Sequence, residues 1–235
     1  MILPDNYKEI YQCINDSGST ATIYSSEDGT KAYKIYTEKF KYDEKKFNAL
    51  KNAQHPNYLM PIDTLSLESN PSNFIGYETN LDRGIALSQI LDESIESLVK
   101  AATDVPETLA HLNDHNIIII DPNVDNIIFS DSFKFVDTYS FALAEKFSKE
   151  LIKRRNLLKV NEMMLCGLIN MSYREIVTRY LQKTNPKAYE LFLKTLETQK
   201  ETGNFVPDIL SIIQEATEEN SLQKAKEKIT LSLNI

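Results

Sequence analysis

Ile119-Ile120-Asp121-Pro122-Asn123-Val124-Asp125-Asn126-Ile127-Ile128-Phe129, then Ser130-Asp131-Ser132, then Phe133-Lys134-Phe135-Val136-Asp137-Thr138-Tyr139, is the stretch on which the reading of this chain turns. The apolar runs Ile117 to Ile120 and Ile127 to Phe129 read as short buried strand pieces, which hold the polar residues between them on a rigid base. Ser130 to Ser132 reads as a turn, and Asp137 follows a Phe-x-Phe-Val strand, so its carboxylate is expected at a strand end facing the same cleft. Asp, Asn and Pro close together often mark no more than a turn. A second acidic residue placed after a hairpin separates this run from an ordinary one.

Asp121, Asn126 and Asp137, in this order and spacing, resemble the catalytic loop of protein kinases, the short hairpin after it and the metal-binding Asp. In that family the orienting Asp precedes a metal-binding Asn by five positions, and 126 − 121 = 5 here. Phosphoryl transfer needs positioning and charge more than covalent help. The resemblance therefore implies that Asp121 orients an attacking hydroxyl while Asn126 and Asp137 hold magnesium against the phosphates.

The upstream half carries the same resemblance in eroded form. Asp16 to Tyr24 looks like the kinase glycine-rich loop, with Asp16 and Ala21 in place of the first and third glycines and Gly18 keeping the central one, where backbone must approach phosphate closely. Gly18, Ser19, Thr20 and Ala21 are thus implied nucleotide contacts, Ser19 and Thr20 offering hydroxyl donors. Glu27-Asp28-Gly29-Thr30 is a hairpin signal. Beyond it, Lys31-Ala32-Tyr33-Lys34-Ile35-Tyr36 resembles the Val-Ala-Ile-Lys strand, which makes Lys34 the phosphate-pairing lysine. Taken singly, a strand lysine is more often solvated; its order with the later Asp-Asn-Asp set gives it a role.

Glu38 to Asn52 is predicted to be a charged helix with Phe40, Phe47 and Leu50 on one side. Glu44 is the candidate ion-pair partner of Lys34, with Glu38 and Asp43 as alternatives, since only 44 − 34 = 10 positions separate the two. Gln54-His55-Pro56-Asn57 supports the register, because many kinases carry His-Pro-Asn after this helix; His55 itself reads as a turn or packing residue. The strand Phe74 to Tyr77 ends in Glu78-Thr79-Asn80-Leu81, which looks like the hinge, where the main chain of Glu78 to Asn80 would bind the adenine edge.

The resemblance covers residues 10 to 170 and departs from the family at several points. Ile119 and Ile120 replace the usual His-Arg, so activation through a phosphorylated loop is not expected. Asn123 stands where serine/threonine kinases generally keep a lysine, and Thr138-Tyr139 replaces Phe-Gly. Asp137 and the apolar helix near Asn161 are 161 − 137 = 24 positions apart, with no Ala-Pro-Glu between them. The implied fold is α+β and two-lobed, with a small antiparallel sheet plus one helix over 1–80 and a mainly helical lobe over 81–235. The implied activity is ATP- and Mg2+-dependent phosphate transfer to a hydroxyl, on serine or threonine of a protein. A small-molecule kinase of the aminoglycoside or choline type is the alternative favoured by the short docking segment, and a pseudokinase scaffold the one favoured by the eroded loop.

Length and composition fit such an enzyme. The 235 residues include 42% hydrophobic ones, enough for a real core. Helices are predicted within 88–99, over Val105 to His115 with Asp104 as cap and Pro106 in the first turn, and over Val160 to Met171, Tyr173 to Gln182, Lys187 to Lys200, Pro207 to Ala216 and Leu222 to Ser232. No internal repeat is visible. With 26 basic and 34 acidic residues the net charge is −8, which argues against nucleic acid or an anionic membrane as partner. Lys153-Arg154-Arg155 reads as a solvated helix start. The absence of an 18-residue apolar run and of a basic leader predicts a cytoplasmic protein. Cys13 and Cys166 are expected to be ordinary buried thiols, and His111 and His115, four apart, to be structural rather than metal ligands.

Overall fold

The computed structural model describes residues 1–16, 20–90, 92–120 and 123–233. Gly18, Ser19 and Asp121 therefore lie outside the described residues. In chain order the elements are β1 (Ile2–Leu3), α1 (Tyr7–Ile10), β2 (Gln12–Asn15), β3 (Ala21–Ser25), β4 (Lys31–Tyr36), α2 (Glu44–Asn52), β5 (Asp63–Leu67), β6 (Asn70–Asn80), β7 (Ile85–Ala86), α3 (Ile95–Thr103), α4 (Val105–Asp114), β8 (Ile117–Ile118), β9 (Ile127–Phe129), β10 (Phe133–Phe135), β11 (Ala142–Leu143), α5 (Lys149–Leu168), α6 (Met171–Thr184), α7 (Pro186–Thr202), α8 (Val206–Thr217) and α9 (Leu222–Leu233).

The chain divides into two compact units. The first comprises Met1–Arg83 together with Lys134–Leu143, and the second Gly84–Phe133 together with Ala144–Ile235. The sequence alone assigns 134–143 to the helical part, yet this segment folds with the sheet. Its side chains explain why: Asp137 pairs with Lys34, and the Tyr139 ring packs against Phe40 and Tyr77 at 5.2 and 5.5 Å.

The first unit is built on a six-stranded sheet in the order β1-β5-β6-β4-β3-β2. β1 runs parallel to β5, and the other pairings are antiparallel. Lys34 lies opposite Ile23 on one side and Tyr77 on the other, and Ala32 lies opposite Thr79. Because side chains alternate along a strand, Ala32, Lys34, Tyr36, Tyr77 and Thr79 share one face. The opposite face carries Tyr33 and Ile35, which join Leu3, Tyr7, Tyr24 and Leu65 in a buried cluster. Gly76 sits where β6 and β4 come closest: a Cβ there would lie 1.9 Å from the Lys34 carbonyl oxygen. Only glycine permits this approach, and it fixes the β4 backbone from which Lys34 projects.

The predicted helix over Glu38 to Asn52 is shorter than expected, beginning at Glu44. Phe40 stacks on Tyr36 with ring centroids 4.9 Å apart and is almost fully buried, which draws its segment into a loop. Asp43 then caps α2, its side chain accepting the Lys46 amide at 3.0 Å.

The second unit is mostly helical. The four predicted C-terminal helices appear as α6 to α9, each within a few residues of its expected bounds. α5 starts well before the predicted Val160, capped by Ser148, whose side chain accepts the Leu151 amide. Its early turns escape an apolar reading because Lys153, Arg154 and Arg155 are exposed on one side while Ile152 and Asn156 are buried on the other. Asp104 does not cap α4 through its side chain: it is itself helical, closing α3 and leading straight into α4. Both cysteines are exposed rather than buried, and Cys166 accepts a hydrogen bond from the Arg174 guanidinium at 3.5 Å. The His111 and His115 rings lie 4.5 Å apart, and His115 Nδ1 meets the His111 carbonyl at 2.9 Å. Among the described residues no helix is long and apolar enough to cross a membrane.

Candidate functional site

Within the first unit, β4 and the turn after β10 bring together the two residues at the centre of the sequence argument. The Lys34 ammonium donates to Asp137 Oδ1 in a partly buried ion pair. Asp137 adopts the left-handed conformation, with φ 54° and ψ 36°, one that Asp tolerates better than most side chains. The turn that imposes it is firmly tied. Ser140 donates to the Asp137 carbonyl through both its amide and its hydroxyl, and the fully buried Thr138 hydroxyl donates to the Leu59 carbonyl at 2.9 Å. A strained backbone held this way marks a residue whose direction matters.

Tyrosines wall this ion pair. The Tyr77 phenol, almost wholly buried, stands beside the Asp137 carboxylate and the Tyr139 backbone, its ring 5.5 Å from that of Tyr139. Burial first, and then the Asp137 charge, raise the pKa of Tyr77 well above its ordinary value, so it stays neutral. The same two causes raise the Tyr36 phenol, and the Lys34 ammonium lies 5.7 Å from the Tyr36 ring centre. Tyr139 is fixed at its far end, where its hydroxyl donates to the Lys41 carbonyl at 3.3 Å and accepts the Asp43 amide at 3.1 Å.

The helix beside this site carries an unexpected residue. Glu44 is exposed in the first turn of α2 and forms no ion pair with Lys34, whose partner is Asp137 instead. Asp43 does not pair with Lys34 either, because its side chain caps α2. With α2 starting at Glu44, the residue that turns inward is Lys46. Its ammonium stands 4.7 Å over the Tyr139 ring. Burial lowers the Lys46 pKa, with the charges of Asp43 and Asp137 opposing the shift. Nothing in the sequence singled out Lys46 among its neighbours Lys45 and Lys51, because the signal depends on where the helix begins.

Along the sheet face from Lys34 lie Ala32 and Thr79. The Thr79 hydroxyl is buried and has no hydrogen-bond partner among the described residues. Two strand residues from Tyr77, it stands ~6.6 Å further along β6. A buried hydroxyl left without a partner is a candidate ligand contact. The expected hinge contacts divide differently. Glu78 pairs across from Tyr33, on the other face, and its carbonyl accepts the Ile62 amide at 2.8 Å. The Tyr33 phenol is pushed up to about 12, first by burial and then by its neighbours Tyr11 and Glu78. The Asn80 side chain accepts from the Lys31 ammonium at 2.6 Å. Ala21 is buried, on the Lys34 face of β3. Thr20 is exposed, and its carbonyl accepts from the Thr37 amide and hydroxyl at 2.9 and 3.1 Å.

The second unit holds the remaining loop residues. Asn126 is half-buried at the end of a 3-10 turn over Val124–Asn126, and its side chain makes no hydrogen bond among the described residues. The turn is closed by the Asn126 amide donating to the Asn123 carbonyl at 3.0 Å, and by the Asp125 amide donating to Asn123 Oδ1 at 3.0 Å. Asn123 is thus a structural cap, and Asp125 is held by the Ser88 hydroxyl. Beneath the loop, the fully buried Asn156 of α5 donates to Asn113 Oδ1 and the Ile117 carbonyl, both at 2.9 Å, and accepts the Ile119 amide at 3.0 Å. It anchors the strand leading to Asp121, and a single polar residue inside a charged helix gave no sign of it.

No protein-family model matches the chain, and no curated protein matches it. Among solved structures it is similar to the autoinhibited serine kinase domain of the giant muscle protein titin, with a TM-score of 0.51 and 16% identity over 96% of this chain and 81% of that one. At that identity the likeness establishes the fold: a protein-kinase-like α+β fold, with the sheet in the N-terminal region and helices in the C-terminal region.

Proposed function

We propose that this chain is a cytoplasmic ATP-dependent phosphotransferase that passes the γ-phosphoryl group to a hydroxyl, with serine or threonine of a protein as acceptor. The observation that carries the reading is the Lys34–Asp137 ion pair, formed across 103 positions of sequence with Asp137 held in a left-handed turn. Lys34 serves the ATP phosphates, and Ala32 and Thr79, further along the same face, serve the base.

In the reaction the acceptor oxygen attacks the γ-phosphorus, an O–P bond forms, and the bond from that phosphorus to the β–γ bridging oxygen breaks. ADP leaves with the electron pair, and the acceptor proton passes to the Asp121 carboxylate. Asn126 contributes an amide to the same chemistry.

Magnesium, which the resemblance implies at Asn126 and Asp137, fits the first unit poorly. The Asp137 carboxylate already accepts Lys34 and faces the buried Tyr77 phenol, and Lys46 adds a second ammonium close enough to feel its charge. Among the described residues no group of three His, Cys, Asp or Glu side chains could hold a metal ion.

The test is transfer of label from γ-labelled ATP to the protein itself, to a peptide library and to a panel of hydroxyl metabolites. Transfer abolished by Asp121→Ala supports the reading, and transfer that survives this change contradicts the role of Asp121. A second reading, nucleotide binding without transfer, is favoured by the exposure of Glu44, which leaves Lys34 without its expected partner from the helix; ATP binding with no transfer to any acceptor would decide for it.

A further inference from the structure

We infer that Lys46 is a second phosphate-binding cation beside Lys34, so that this site takes a nucleoside triphosphate without needing a divalent metal. The inference rests on the nucleotide reading above and goes beyond it by naming the group that replaces the metal's charge.

Lys46 is unfavourably placed for a cation. It lies in the first turn of α2, where the helix dipole favours anions and disfavours an ammonium. It is half-buried, and among the described residues no carboxylate is within ion-pair distance of it. The nearest candidate, Asp43, uses its side chain to cap the helix through the Lys46 amide. A lysine with free choice would swing into water. This one is held over the Tyr139 ring, and Tyr139 is in turn tied to the backbone of Lys41 and Asp43 and packed by Phe40, Phe47 and Tyr77. The ring is thus a fixed platform that keeps the ammonium inside.

Charge completes the case. Asp137 is ion-paired with Lys34, and Asp43, held at the helix cap, is the stronger of the two carboxylate charges that favour the Lys46 ammonium, so Lys46 is a cation of this cluster without a direct ion pair of its own. A polyanion with several phosphate oxygens can engage both ammoniums through charge-assisted hydrogen bonds. A divalent cation arriving first meets two like charges and a carboxylate already occupied. An acidic residue at position 46 would reverse that preference, and an acidic residue paired with Lys34 is what the kinase resemblance led one to expect from this helix.

Calorimetric titration of ATP into the whole chain, once in EDTA and once in excess Mg2+, tests this on the wild type, Lys46→Met and Lys46→Glu, with thermal melting to confirm that each folds. The wild type is expected to bind equally well, within about threefold, in the two buffers. Lys46→Met should weaken binding in EDTA by about tenfold, the loss of one charge-assisted contact, and Lys46→Glu should confine detectable binding to the Mg2+ buffer. Wild-type binding only with Mg2+, or metal-free binding unchanged in folded Lys46→Met, overturns the inference while leaving the nucleotide reading intact. Wild-type binding in neither buffer removes the nucleotide reading, and the inference with it.

Discussion

Asn156 in the second unit and Lys46 in the first are both polar side chains drawn into the protein from charged helices, and they differ in what surrounds them. Asn156 is fully buried with its amide nitrogen and oxygen both bonded, so it serves the fold. Lys46 is half-buried with a ring for a neighbour and, among the described residues, no carboxylate in direct ion-pair contact, Asp43 and Asp137 favouring its charge from further off. A satisfied buried polar group stabilises the native state, whereas a half-buried ammonium without a direct ion pair costs stability and is retained for something outside the chain. The contrast turns burial and partner count into a means of separating scaffold from site.

The comparison breaks most visibly at Asn156. Replacing it with alanine strands the Ile119 amide, the Ile117 carbonyl and Asn113, and should lower unfolding stability by about 4 kcal/mol, read as the shift of a urea transition. Gly76→Ala should follow at about 3 kcal/mol, since the new Cβ collides with backbone rather than a flexible tip. Because the collision is with the Lys34 carbonyl, this variant should also lose ATP affinity, which Asn156→Ala restored to a folded state by a stabilising osmolyte need not.

Lys46→Met should do the opposite of both. Removing the ammonium from the first turn of α2 should raise stability by about 1 kcal/mol near neutral pH while metal-free ATP binding weakens. The sign with pH follows from burial lowering the Lys46 pKa below its usual 10.5. The unfolded chain then binds more protons than the folded one, so wild-type stability rises with pH between the lowered folded value and 10.5. The wild-type deficit is complete below that window, and the wild-type and Lys46→Met melting temperatures should converge as pH climbs through it. A gap that stays constant with pH would assign the difference to packing.

How much of this could be read from the chain differs between backbone and side chain. The polar run Asp121 to Asp137, the Lys34 strand and the C-terminal helices are local patterns, and local patterns carry their own signal. The boundary of α2 is not local. Phe40 looks like part of a helical apolar stripe until Tyr36, Tyr77 and Tyr139, up to a hundred positions away, give it an aromatic nest. With that boundary moved, Glu44 falls on the solvent side and Lys46 turns inward, so the one residue that changes the chemistry was the one the sequence could not single out. Asn156 and Thr79 were hidden for a similar reason. A lone Asn or Thr gains meaning only from the backbone groups it meets or fails to meet after folding.

The most direct test of the central claim, that nucleotide phosphates are held at the Lys34–Asp137 pair, is labelling with an acyl phosphate of ATP, which transfers its acyl group to an amine beside the phosphates, followed by peptide mass spectrometry. The account predicts acylation at Lys34 or Lys46, suppressed by excess ATP with or without Mg2+. Labelling scattered over surface lysines and unaffected by ATP would contradict it.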